Sequence, residues 1–170
     1  MFHAVSGIAF FIASFITTGE DRKPGAGSEP FDDATFVAKA ASGGIHEVEL
    51  GKLAATRARR EEVKKFAQKM VDDHGKANEE LKKAAKAAGL SVPEKMNDEH
   101  QKEFDHFKDF KGADFDKEYL RHMLDDHEKD VAEFTRASKE AKNPQVKAFA
   151  AKTLPVVQEH LELVRKLVKE

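Results

Sequence analysis

The chain has 170 residues, 35% of them charged and 40% hydrophobic, with a net charge of -2 and no cysteine. That length and composition fit a single globular domain and exclude a disordered chain. The charge balance excludes a bulk attraction for nucleic acid, and the absence of cysteine excludes disulfides, thiolate metal sites and cysteine nucleophiles.

Residues 5–18, VSGIAFFIASFITT, are apolar or small and carry no charge. The stretch falls short of the ~20 residues of a membrane span but matches the apolar core of a signal peptide. The basic residues that usually precede such a core are missing; only His3 stands near Met1. A plain N-terminal helix is the simpler alternative. DRKPGAGSEP, residues 21–30, reads as a flexible linker. We therefore expect residues 1–30 to be an export signal or anchor with its linker, and residues 31–170 to be the folded domain. The expected location is the periplasm or cell envelope, with the apolar segment as the route to any membrane association.

From Phe31 onward no strand alternation is visible. Apolar residues recur at spacings of three and four over 32–57, 61–88, 115–141 and 145–169, and a shorter helical piece covers 97–111. GLSVPEKMND (89–98), KGAD (111–114) and KNP (142–144) mark the breaks. Asp114 reads as the N-cap of the third long helix, and Asn143 with Pro144 opens the fourth. The expectation is all-α: a four-helix bundle with a short extra helix between the second and third long helices. VKKFAQK (63–69) and VKAFAAK (146–152) open two of the helices alike, which suggests two related helix pairs.

A second echo bears on function. MVDDHGKANEEL (70–81) and MLDDHEKDVAEF (123–134) share Met, an aliphatic residue, two Asp and His. At 100° per residue, His74 falls in the stripe of Val63, Ala67, Met70, Ala77 and Leu81. His127 falls in the stripe of Leu120, Met123, Leu124, Val131 and Phe134. His160 lies with Val146, Phe149, Val157 and Val164. On the first helix Glu47 borders a face of small residues that includes Ala40, Ala41, Gly44 and Gly51, while His46 and Glu49 point away from it. Counted from the turns at ~1.5 Å per residue, the four polar side chains stand within about one or two helical turns of a common height.

Three imidazoles and a carboxylate converging at mid-bundle suit one transition-metal ion: zinc, copper, iron or manganese. Glu47, His74, His127 and His160 are the expected ligands. Gly43, Gly44 and Gly51 would let the backbones approach closely there, and Pro155 would kink the last helix or free a carbonyl. The plainer alternative is three hydrogen-bonded core histidines with Glu47 paired to one of them. Asp73 and Asp126 flank the stripes and either orient imidazoles or pair with lysines. His100 could cover one end of the site, His106 and His122 read as surface residues, and His46 with Glu49 is a weak outer pair.

No Glu-x-x-His precedes the inward histidines, since Val71 and Leu124 occupy the glutamate position, so a di-iron carboxylate centre is disfavoured. No nucleotide-binding, hydrolase or zinc-protease motif occurs.

FVAKAASGGIHEVELGKLA (36–54), VKKFAQKMVDDHGKANEEL (63–81), FDKEYLRHMLDDHEKDVAEF (115–134) and VKAFAAKTLPVVQEHLELV (146–164) resemble a large family of exported bacterial proteins. The family is known as domain of unknown function four-one-four-two, and its members are often labelled outer membrane proteins. The resemblance implies a ferritin-like four-helix fold and secretion. It places recurring family positions on Glu47, His74, His127 and on Leu154, Pro155 and His160, and it implies no activity. The expectation is an exported metal-binding bundle with a storage or stress-related role. A metal-dependent oxidoreductase and a metal-free envelope bundle are the alternatives. The expected partner is the metal ion, no catalytic residue is assigned, and homo-oligomerisation stays open.

Overall fold

The computed structural model describes residues 30–169; the expected export segment lies outside the described residues. Five helices follow one another: α1 Asp33–Arg57, α2 Glu61–Ala87, α3 Asp98–Phe107, α4 Gly112–Glu140 and α5 Pro144–Leu167. No strand occurs among the described residues, and none of the described helices is long and apolar enough to cross a membrane.

The boundaries follow local chemistry. The Asp32 carboxylate caps α1 by accepting from Thr35 N at 3.0 Å. Gly89, at φ +69°, ends α2: Leu90 N reaches back to Ala85 O and Gly89 N to Lys86 O, a Schellman closure. Asn97 caps α3 through His100 N, and Asn143 caps α5 ahead of Pro144, as its sequence suggested. Asp114 is not a cap. Gly112 takes φ +62° and starts α4 three residues earlier, with Lys111 at the cap position.

Ion pairs and contacts along the helices fix the topology. Lys39 meets Glu133 and Phe36 meets Phe134, so α1 and α4 run antiparallel. Lys69 meets Glu159 and Lys152 meets Glu80, so α2 and α5 also run antiparallel. With two tight hairpins, α1–α2 and α4–α5, every neighbouring pair of long helices is antiparallel. Residues 88–111 then cross the length of the bundle, and α3 in that crossover packs on α1.

The two hairpins tie each other's turns. Asp116, in the first turns of α4, accepts from Arg59 N and Arg60 N at the α1–α2 turn, both at 2.8 Å. Asp33, at the start of α1, accepts from Lys142 N at 3.0 Å and Asn143 N at 2.6 Å at the α4–α5 turn. This reciprocal arrangement supports two related helix pairs. Asp116 is nearly fully buried, so Asp116→Ala strands two amides and is expected to cost about 2 kcal/mol. Urea unfolding should show a lower midpoint at unchanged slope; an unmoved midpoint would refute the tie.

The apolar core comes in two pieces. One end holds Leu50, Val63, Phe66, Met70, Phe115, Tyr119, Met123 and Leu161. The other holds Phe36, Val37, Leu81, Phe134, Val146, Phe149 and Val157. Between them, on every long helix, the buried residues turn polar: His46 and Glu47, His74, His127 and His160. Close helix approach at this layer favours glycine at position 51. A Cβ on Gly51 would lie 3.0 Å from Ala67 O, whereas one on Gly44 would meet only the mobile Asn78 amide. Gly43 has no such constraint, its Cβ meeting His100 at 3.7 Å. Helix α5 runs unbroken through Pro155, which sits on the exposed face.

Candidate metal centre

His74, His127 and His160 meet in the polar layer, each offering one nitrogen within 4.8 Å of the other two. His74 Nε2 lies 3.2 Å from His160 Nδ1, and His127 Nε2 lies 3.4 Å from the same atom.

The partners of the opposite nitrogens set the tautomers. His127 Nδ1 is 2.9 Å from Met123 O, a carbonyl that can only accept. His160 Nε2 is 3.0 Å from Asp73 Oδ2, and His74 Nδ1 is 2.8 Å from Glu47 Oε2. His127 and His160 therefore place their protons on the outer nitrogens and turn bare lone pairs inward, while His74 stands between Glu47 and His160 Nδ1. Burial reinforces this. Desolvation pushes the pKa of His74 and His127 down, and it pushes His160, helped by the neighbouring His74, down to about 3. Burial alone would raise Asp73, but hydrogen bonds from His160 and Lys69 outweigh it and hold the carboxyl below its usual value. Asp73 thus does both things expected of it, pairing with Lys69 at 3.0 Å while orienting His160.

Glu47 reaches two of the three rings. Oε2 anchors His74, whereas Oε1 is buried without a hydrogen-bond partner, 3.6 Å from His127 Nε2. Burial pushes the Glu47 carboxyl up against the attraction of His127. Asp130, one helical turn beyond His127, is raised well above the carboxylate range by burial and by the charge of Glu47. The sequence reading passed over Asp130, although its i,i+3 spacing from His127 puts it on the same side of α4.

Two expectations need correction. His46 does not point away: it is fully buried. His122 is not a surface residue, its side chain being 12% exposed and set edge-on to His46, with ring centroids 5.1 Å apart. His100 stacks parallel on the other side of His46 at 5.2 Å. Desolvation pushes His46 down to about 3. His106 is exposed, as expected. A cavity of about 330 Å³ opens along this side of the bundle and is lined by His74, His160, Asp130, His100 and Glu103 among others.

The chain belongs to the family described as domain of unknown function (DUF4142), whose model matches residues 18–167. No curated protein matches it. Two solved structures resemble this member of the family. The crystal structure of a DUF305 fragment from Deinococcus radiodurans superposes with a TM-score of 0.69 at 14% identity, covering 82% of this chain and 98% of that one. CopM in a Cu(II)-bound form superposes with a TM-score of 0.68 at 16% identity, covering 82% and 97%. At such identities the likeness is one of fold.

Proposed function

We propose that the protein binds one transition-metal ion through His74 Nε2, His127 Nε2 and His160 Nδ1. The observation that carries this reading is the inward trio of imidazole nitrogens, two of them turned inward as bare lone pairs. His127 Nε2 and His160 Nδ1, both unprotonated and 3.4 Å apart, repel unless a cation lies between them, and His74 Nε2 stands 3.2 Å from the same His160 atom. Bonds of ~2.0–2.1 Å in tetrahedral geometry set neighbouring ligand atoms about 3.3 Å apart, which matches both separations. His127 and His160 also have the outer acceptors that metal-bound imidazoles need, and the Glu47 carboxyl lies at the outer nitrogen of His74.

Glu47, expected as a fourth ligand, enters here first as the carboxylate that orients His74 and offsets the ion's charge. Its orphaned Oε1 supplies the fourth donor once the side chain rotates. Three nitrogen donors suit copper, zinc or iron, with copper held most strongly; the Cu(II)-bound CopM, which shares the fold, supports copper. Two antiparallel hairpins joined by one long crossover are the connectivity of ferritin-like bundles, and we assign the chain to them. We also propose export to the periplasm or envelope, resting on residues 5–18 alone; recovery of the untruncated chain solely from the cytoplasm would refute it.

The central test is elemental mass spectrometry on untagged protein loaded with copper or zinc, beside His127→Ala. Bound metal in the native chain and its loss in the variant are expected. Equal metal in both would sink the core site.

A further inference from the structure

We propose that His46, His122 and Asp126 form a second transition-metal site. It goes beyond the core site and stands on different residues.

The first observation is His46 itself. Its side chain is fully buried and neither ring nitrogen has a hydrogen-bond partner. A buried imidazole holds at least one donor or acceptor that must be met, and leaving both nitrogens unmet is costly. A cation ligated by one of them answers that cost.

The second observation is what surrounds it. Asp126 Oδ2 lies 4.0 Å from His46 Nδ1 and 3.0 Å from His122 Nε2. The shorter contact is not an aligned hydrogen bond: His122 Nε2 is itself buried without a partner. Three ligand atoms, His46 Nδ1, His122 Nε2 and Asp126 Oδ2, therefore face one another. Their separations bracket the ~3.3 Å edge of a tetrahedral site. On the other side of the same ring, His46, His100 and Glu103 form a second grouping within 4.8 Å. Ser42 Oγ, which accepts from Asn97 N at 2.8 Å, fixes His100 by its Nδ1 at 2.7 Å.

Two imidazoles and a carboxylate are a borderline donor set suited to zinc, iron or copper, and they leave coordination positions open. Access exists: the cavity that reaches His74 and His160 also reaches Asp126, His100 and Glu103.

Zinc titration of the full chain, read as bound equivalents by elemental analysis after desalting, tests this. The native protein is expected to retain two equivalents. His122→Gln and Asp126→Asn, both at the edge of the core, should each retain one. The paired variant His74→Gln with His160→Gln should also retain one. Circular dichroism confirms that each variant is helical; if His122→Gln unfolds, Asp126→Asn carries the test. A native stoichiometry that neither His122→Gln nor Asp126→Asn lowers would overturn the proposal. A single native equivalent, kept by the paired core variant and lost in Asp126→Asn, would uphold this site and refute the core one.

Discussion

Saturation with copper or zinc is expected to raise the thermal midpoint of the protein by roughly 10 °C, and His160→Ala to erase most of that rise. A ligand that binds only the folded chain stabilises it by about 4 kcal/mol at a thousand times its dissociation constant. For a domain of this size each kcal/mol moves the midpoint by about 3 °C. His160 is the pivot because its Nδ1 is the atom that both other inward nitrogens approach. Asp73→Asn separates ligation from packing. It leaves the three ligands in place but weakens the acceptor on His160 Nε2, so metal affinity should fall about 10–100-fold with little change in metal-free stability. Scanning calorimetry with and without chelator measures both. If metal shifts the native protein and His160→Ala equally, the ion is not in the bundle core.

The inward histidines were legible because α2, α4 and α5 each have a single apolar stripe, and a histidine inside such a stripe has nowhere else to go. Helix α1 does not obey that rule. It packs against α2 and α4 and is covered by α3 as well, so more than one face is buried and no single stripe describes it. His46 was misplaced for that reason. The steps Ser42, His46, Leu50 at i,i+4 spacing trace the missed face, all three being buried. The apolar side of α3 was the remaining clue, since Phe107, at 1% exposure, needs a partner surface. The start of α4 was misjudged because a glycine at positive φ launched it where a side-chain cap was expected. What no sequence pattern carries is which nitrogen of each imidazole faces inward. For His127 and His160 that choice is made by Met123 O and by Asp73 on the neighbouring α2, through distances that only the packed bundle defines.

Acid is expected to destabilise the metal-free protein steeply once the pH falls below 6.5. His46, His74, His127 and His160 all have folded pKa values below 6.5, chiefly through burial. In the unfolded chain they take up protons near that value. Their contribution is therefore intact above 6.5 and is lost as the pH falls through it. Glu47 and Asp130 act in the opposite sense. Their folded pKa values are raised, so the stability they contribute is present at low pH and is lost on going up, for Glu47 between 4.5 and about 7. Near pH 5.5 four imidazoles stand against two carboxyls. The unfolded chain then holds more protons than the folded one, so stability falls as the pH falls. Urea midpoints in chelator at pH 7.5, 6.5 and 5.5 measure it, and a stability that holds level or rises towards pH 5.5 would contradict the histidine assignment. Metal and protons compete for the same inward lone pairs. Bound copper or zinc should thus move the acid edge to lower pH in the native chain, but not in His160→Ala. An edge that moves equally in both would mean that the buried histidines resist acid through packing alone, with no ion among them.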